Sequence, residues 1–375
     1  GKLQEALELI RKDNVLPGIC GRVCTHPCES SCRRSELDET IAIRDLKRFL
    51  ADYELAHPDC AKPPVLPSRS EKVAVIGSGP AGLAAASDLA RYGYQVTVFE
   101  KESLAGGLLR YGIGPYRLPR NILDAELEYI SGLGVLFRTS SFVNLEHDLG
   151  KIRKEFHAVV LTVGTSEDRI LGAPGENLEG VEGCLSFLRR FYRGEITELK
   201  GKVAIVGGGD SAIDAARCLA RLGTIPTVLY RRRLQDMPAD PEEIEAARKE
   251  GVSIIDRIQV TAFLEKDGKL NRLECMPTQP GESDSRGIPF PVIDPCAKPF
   301  ELEFDRAILA IGQSGAFKRI RNKCGIHVTE QGLIEVDEFM RTHLPGFYAA
   351  GDAVSGPSTV VESMASGRAV ARWIH

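Results

Sequence analysis

One supersecondary unit occurs twice in this chain, and that repetition restricts the fold more than any other feature. KVAVIGSGPAGLAAASDLARYGYQVTVFE (72–100) aligns without a gap on KVAIVGGGDSAIDAARCLARLGTIPTVLY (202–230). Each copy reads as an apolar β-rich strand, a Gly-rich turn, a helix ending at Gly93 or Gly223, and a second strand. Recurrence of a whole strand–turn–helix–strand unit predicts an α/β protein with two nucleotide-binding domains of related construction. HAVVLTVG (157–164) supplies a further apolar strand between them, and RAILAIG (306–312) a last strand for the second copy. GFYAAGDAV (346–354) and a final helix then return the chain to the first domain. The expected boundaries are 71–168 with 318–375 for the first domain and 169–317 for the second, inserted in it.

A Gly-x-Gly-x-x-Gly turn between strand and helix suits phosphate. The first glycine permits the tight turn, the second lets a pyrophosphate approach the backbone, and the third position must be small so that helix packs on strand. The first copy supplies Gly77, Gly79 and Gly82, with Pro80 and Ala81 opening the helix; the second supplies Gly207, Gly209 and Ala212, with Asp210 and Ser211 opening the helix. The ends of the second strands separate the two ligands. Glu100, followed by Lys101, closes the first copy, and an acid there accepts hydrogen bonds from both ribose hydroxyls. Tyr230 stands at the aligned position of the second, followed by Arg231, Arg232 and Arg233. Guanidinium groups pair with a 2′-phosphate that an acid would repel, so the second domain favours NADP(H), with NAD(H) as the alternative. The first domain calls for a dinucleotide with a free ribose, and AAGDAVSGPSTVVESMASG (349–367) points to FAD. Asp352, after Gly351, can hold the ribitol or pyrophosphate region, and a helix beginning near Pro357 or Ser358 would aim its positive end at the flavin pyrimidine.

Ahead of these domains, residues 1–57 read as helical, with Leu3, Ala6, Leu7 and Ile10 on one face of the first helix. CGRVCTHPCESSC (20–32) interrupts them and spaces Cys20, Cys24, Cys28 and Cys32 at four-residue intervals. Residues 58–70, with Pro58, Pro63, Pro64 and Pro67, form a stiff linker, and Cys60 in it reads as an incidental loop residue. Four thiolates in one loop suit a tetrahedral zinc or a [4Fe–4S] cluster, and the regular gaps alone do not choose. A flavin domain downstream favours the cluster, because a flavin takes two electrons and releases them singly.

The motifs GSGPAGL, GGLLRYGIGPYRLPR (106–120), LTVGT, GGGDSAIDAAR, LYRRR with the following MPA, and FYAAGDA together resemble the small, flavin-bearing subunit of glutamate synthase. The wider group includes flavoproteins of ferredoxin:NADP oxidoreductase and dihydropyrimidine dehydrogenase type. The resemblance covers nearly the whole chain. It implies a two-dinucleotide-binding flavoprotein fold with FAD in the first domain, NAD(P)H in the second, and an N-terminal α-helical iron–sulfur domain. By the same match Gly107 and Leu108 line the flavin, Val143 the adenine, Thr359 and Val360 the isoalloxazine, Gly164 belongs to the cofactor site, and Gly312 lies near the nicotinamide. Relatives with two clusters carry further cysteines upstream, and a carboxylate or amide ligand where this chain has Lys47. One [4Fe–4S] cluster on all four cysteines is the resulting expectation.

The expected activity is an NAD(P)H oxidoreductase that passes electrons from NADPH through FAD to the cluster and on to a partner subunit or ferredoxin, with no catalytic acid or base. A disulfide reductase would need a redox cysteine pair, but no C-x-x-C occurs and Cys184, Cys218, Cys275, Cys296 and Cys324 are isolated. A scaffold module without turnover of its own is the non-enzymatic alternative. A formal net charge of −4 and the lack of a basic stripe give no reason to expect nucleic acid. No apolar run reaches membrane-spanning length, and ten cysteines, six of them scattered singly, are too sparse for a disulfide scaffold, so a cytoplasmic setting is expected.

Overall fold

The computed structural model describes residues 1–57, 65–284, 287–317 and 325–375; Cys60, Cys324, most of the proline-rich linker and the expected domain start at 318 lie outside the described residues. The chain divides into two compact units, 1–166 with 314–375, and 167–313.

The first unit opens with α1 (Leu3–Asp13), α2 (Pro17–Val23), the one-turn α3 (Pro27–Ser30) and α4 (Ile43–Ala56). Next come β1 (Lys72–Ile76), α5 (Pro80–Arg91), β2 (Gln95–Phe99), α6 (Leu108–Tyr111), α7 (Arg120–Gly132), β3 (Leu136–Arg138), α8 (Leu145–Glu155) and β4 (Ala158–Leu161). β5 (Thr165–Asp168) carries the chain into the second unit. There follow β6 (Val181–Gly183), α9 (Cys184–Tyr192), β7 (Lys202–Val206), α10 (Asp210–Arg221), β8 (Ile225–Tyr230), α11 (Pro241–Lys249) and β9 (Ser253–Asp256). A small antiparallel sheet comprises β10 (Ile258–Lys266), β11 (Lys269–Ser283), β12 (Pro289–Ile293) and β13 (Phe300–Glu303). β14 (Arg306–Leu309) completes the main sheet, and β15 (Gln313–Gly315) brings the chain back, pairing with β5. β16 (Phe347–Ala349), the one-turn α12 (Asp352–Ser355) and α13 (Val360–Ile374) finish the first unit.

Each unit holds a five-stranded parallel sheet, ordered β16-β4-β1-β2-β3 in the first and β6-β14-β7-β8-β9 in the second. β1 and β7 share the pattern of one exposed residue followed by four buried ones, the unbroken apolar run expected where helices cover both faces of a sheet. The strand order reverses direction at β1 and at β7, which puts a crevice outside their carboxyl ends. Both glycine turns stand there.

The N-terminal helices are fixed to the first sheet by a buried ion triad. The Arg11 guanidinium, 7% exposed, donates to Glu126 Oε2 on α7 at 2.6 Å, to Glu54 Oε2 on α4 at 2.6 Å and to the Val15 carbonyl at 2.8 Å. Its Cζ also lies 3.9 Å from the centre of the Tyr129 ring. The other Glu126 oxygen accepts the Gly18 N–H at 2.6 Å at the start of α2. Burial alone would lower the Arg11 pKa, but the Glu126 and Glu54 carboxylates raise it above its ordinary value. Arg11→Met would strand two carboxylates in this site and cost about 3–5 kcal/mol. The expected readout is a lower melting temperature with early proteolytic release of the first 56 residues; unchanged melting and cleavage would show that apolar contacts suffice.

Candidate functional site

In the first unit, Gly77 turns the chain off β1 with φ +106°, and a Cβ there would stand 2.5 Å from the Thr162 carbonyl. A Cβ on Gly82 would meet the Gly77 carbonyl at 2.0 Å, so α5 can seat against the turn only without a side chain at that position. Gly79 is different: a Cβ there would have nothing within 4 Å. The second glycine therefore faces open space beside Pro80 and Ala81, at the helix end whose first N–H groups have no intrahelical partner. Gly107, which caps α6, forms the opposite wall; its Cβ would lie 2.9 Å from the Gly79 Cα.

Glu100 is buried at the end of β2, and its two oxygens hold the turn in shape. Oε2 accepts the Ser78 N–H at 3.1 Å and the Ser78 hydroxyl, while Oε1 accepts the Glu102 N–H at 2.9 Å. Ser78 Oγ in turn accepts the Gly106 N–H at 2.9 Å, tying the 106–120 segment to the turn. Carboxylate oxygens have further lone pairs, so Glu100 can accept from a ribose as well. Lys101 is exposed beside it. Ser141 N–H donates to the Glu100 carbonyl at 2.8 Å, which brings the half-buried Val143 alongside the same strand end. Gly164, beyond β4, has a φ of +65°, and a Cβ there would have nothing within 4 Å.

Gly351 presses on the α5 start, its Cβ position 2.7 Å from the Ala81 Cβ. One oxygen of Asp352, Oδ1, accepts the Ser358 N–H at 3.2 Å, the Ser358 hydroxyl at 2.7 Å and the Ser363 hydroxyl at 3.0 Å. Burial raises the Asp352 pKa while these bonds oppose the rise, and Oδ2 takes no part in them. The final helix begins at Val360, two to three residues later than the sequence suggested. Thr359 is its cap, exchanging hydrogen bonds with Glu362 in a capping box that Pro357 and Ser358 cannot make. Leu108 and Val360 are half-buried at the first positions of α6 and α13.

The second unit repeats the construction. Gly207 has φ +143° with its Cβ position 2.2 Å from the Ala310 carbonyl, Ala212 is fully buried, and Gly209 again has nothing within 4 Å of its Cβ position. Asp210 Oδ1 accepts the Asp240 N–H at 3.0 Å, and the Ser211 carbonyl accepts the Cys184 thiol at 3.3 Å, so the start of α10 is tied to the starts of α11 and α9. The Tyr230 ring lies where a Cβ on Gly208 would fall, and its hydroxyl donates to the Asp236 carbonyl at 2.8 Å. The arginines divide by partner. Arg233 is committed to Asp236 at 2.7 Å, whereas Arg231 is exposed and Arg232 stands 5.6 Å from the centre of the Phe290 ring. Among the described residues no acid pairs with Arg231 or Arg232. Gly312, φ +112°, has the Arg169 side chain 3.4 Å from its Cβ position.

The four cysteines are not placed alike. Cys28 is exposed within α3, and the half-buried Cys24 and Cys32 stand on either side of it. The backbone N–H groups of Ile41 and Arg34 hold the Cys32 thiol below its ordinary pKa. Glu29 docks this loop on α4 by accepting the Arg44 N–H at 2.7 Å. Cys20 instead is 1% exposed within the apolar core, its sulfur 3.6 Å from that of Met364. Burial pushes its thiol up to about 12, although Lys47 pulls the other way. Cys20 thus stands apart from the other three, facing a methionine in the core while Cys24, Cys28 and Cys32 share the loop. Nothing local in the sequence marks Arg11, Glu54 and Glu126 as partners, and the clamp Ser78 is marked only by its place between two glycines.

Residues 71–367 match the pyridine nucleotide–disulphide oxidoreductase family. The chain belongs to that family. Residues 1–58 match the 4Fe–4S cluster domain II of dihydropyrimidine dehydrogenase. The chain is thus a flavoprotein of the glutamate synthase small-subunit type, joining a pyridine-nucleotide oxidoreductase part to a 4Fe–4S domain. It is 37% identical to the beta subunit of the NADP(+)-dependent formate dehydrogenase of Moorella thermoacetica, over 99% of this chain and 56% of that one. It is 35% identical to the beta subunit of the NADPH-Fe(3+) oxidoreductase of Geobacter sulfurreducens, over 100% of this chain and 60% of the relative. The chain thus spans rather less than two thirds of these two relatives. The glutamate synthase [NADPH] small chain of Mycobacterium tuberculosis is 32% identical over 99% of this chain and 80% of its own length. In fold, FprA of M. tuberculosis in complex with NADPH superposes with TM-score 0.67 at 17% identity, covering 81% of this chain and 84% of that one. Thioredoxin reductase of T. acidophilum gives a TM-score of 0.59 at 19% identity over 81% of this chain and 98% of that one. The flavoprotein has no described helix long and apolar enough to cross a membrane.

Two measurements test these placements. Gly79→Ala, with φ −71° and room for a methyl group, is expected to fold with near-normal melting of the flavin-free protein yet to lose flavin, because its Cβ occupies the open mouth. Flavin content equal to wild type would show that the pyrophosphate lies elsewhere. Iron analysis is expected to find Cys20→Ala near wild type and Cys28→Ser depleted; equal depletion of both would return Cys20 to the ligand set.

Proposed function

We propose that this chain is the NADPH-oxidising subunit of a larger oxidoreductase and delivers single electrons to a partner subunit or a ferredoxin-type carrier. The observation that carries the reading is that the thiol loop is built on the same compact unit as the first glycine turn. The Arg11–Glu126–Glu54 triad fastens the helices bearing the loop to a helix of that unit's flavoprotein fold. The relatives' names support it too, since those proteins are beta subunits and small chains.

In this reading the open face at Gly79 and the start of α5 take the FAD pyrophosphate, flanked by Pro80, Ala81 and Gly107, with Glu100 on the ribose. Asp352 reserves one oxygen for the flavin side chain, and the capped start of α13, at Thr359 and Val360, offers its positive end to the ring. Gly209, Asp210 and Ser211 open the matching cradle for NADPH, and Arg231 and Arg232 receive its 2′-phosphate. Cys24, Cys28 and Cys32 ligate the 4Fe–4S cluster. When bound, these groups supply hydride acceptance and its conversion into single electrons. The protein's own residues hold, orient and insulate them; none needs to move a proton.

Loss of one charge-assisted contact to phosphate costs roughly 1.5–3 kcal/mol, so Arg231→Ala is expected to raise the NADPH KM about 10- to 100-fold and leave that for NADH nearly unchanged. Equal effects on both would place the 2′-phosphate elsewhere. Anaerobic mixing of the holoprotein with NADPH should bleach the flavin rapidly; an unreduced flavin would favour a scaffold without turnover.

A further inference from the structure

We propose that His327, Glu335 and His343 form a site for a divalent transition-metal ion of the Zn²⁺ class on the surface of the first unit, apart from the cysteine loop. One ligand atom from each of the three lies within 4.8 Å of the other two, and all three side chains are exposed. The backbone creates the meeting. Val328 pairs antiparallel with Ile334, and the Glu335 N–H donates to the His327 carbonyl at 3.0 Å, so His327 and Glu335 are directly opposed across a hairpin. Thr329 and Gly332 close its turn, the Gly332 N–H donating to the Thr329 carbonyl at 3.0 Å. Ile326, Val328 and Ile334 are buried, and side chains alternate along a strand, so His327 and Glu335 project outward together. Two further turns bring His343 onto the same face, its ring stacked on that of His327 with centroids 3.6 Å apart and planes 20° apart.

None of these three side chains is engaged by an ion pair or a side-chain hydrogen bond among the described residues. Asp337 and Arg341, the nearest charged residues along the chain, are satisfied by each other at 2.8 Å. Two imidazoles and one carboxylate form a donor set suited to zinc, copper or nickel and not to magnesium or calcium, which prefer oxygen. Tetrahedral coordination with bonds of about 2.0–2.1 Å needs donors roughly 3.3 Å apart. Exposed side chains reach that spacing by rotation, without movement of the backbone. The ion would bond both arms of the hairpin to the turn that leads into β16, and so clamp the segment running to Gly351 and Asp352. The three residues stand eight apart in sequence, a spacing that matches no helical metal motif. Only the hairpin register assembles them.

The test is calorimetric titration of the untagged holoprotein, its cluster intact, with Zn²⁺ alone. One equivalent is expected per chain, with a melting temperature that rises with zinc and is unmoved by the same concentration of Mg²⁺. His327→Ala and His343→Ala should each weaken zinc binding at least ~10-fold and abolish the thermal shift. Both positions are exposed, so melting of the metal-free variants should equal that of wild type. A wild type that takes up no zinc, variants that bind it undiminished, or an equal response to Mg²⁺ would each overturn the site.

Discussion

The placement of everything N-terminal to β1 depends on one buried cation. Arg11 is held by two carboxylates from different helices, and the second oxygen of one of them caps the start of α2. An arrangement of this kind contributes little net attraction, because desolvation of three charges consumes most of it. Its value is geometric. A guanidinium with a fixed fork of donors accepts these partners in only one relative position of α1, α4 and α7. Small amphipathic helices packed on an α/β sheet could otherwise slide along it, and a loop of thiols on a sliding helix could not stay at a constant distance from a flavin.

The two nucleotide turns show how one backbone device is adapted to different ligands. At each, the first glycine is packed against a carbonyl of a neighbouring strand end and the second is left facing solvent. The units differ in what fixes the turn. In the first, a buried acid reaches back through Ser78 and so shapes the loop. In the second, an aromatic ring fills the space under Gly208, and the charge is moved outward to arginines on the surface. Arg233 is neutralised locally by Asp236, which leaves two of the three guanidinium groups for a ligand.

Repetition, glycine spacing and the charge at each strand end are local properties, and they make the α/β class and the doubled strand–turn–helix–strand unit legible in the sequence. What it hid are pairings between residues far apart in the chain. Arg11 and Glu126 look like ordinary surface residues of amphipathic helices until the helices are packed. Cys20 shares its spacing with three other cysteines, yet a helix ending at Val23 turns it inward toward Met364. The start of α13 was misplaced because Pro357 and Ser358 resemble a helix opening, whereas the reciprocal bonds of Thr359 and Glu362 decide where the first turn forms.

The route of the chain also sets an order of assembly. β16 forms the edge of the first sheet and α13 packs over α5, with a Cβ at Gly367 only 2.0 Å from the Ala81 carbonyl. Both elements follow the whole second unit in sequence. During synthesis, therefore, residues 167–313 emerge and can close their own core while the first sheet still lacks a strand and its glycine turn lacks a covering helix. The first glycine turn is therefore completed only after the second unit. Capture of a ligand there waits on β16 and α13, and a ribosome-bound intermediate can hold a finished second unit before the first can retain anything.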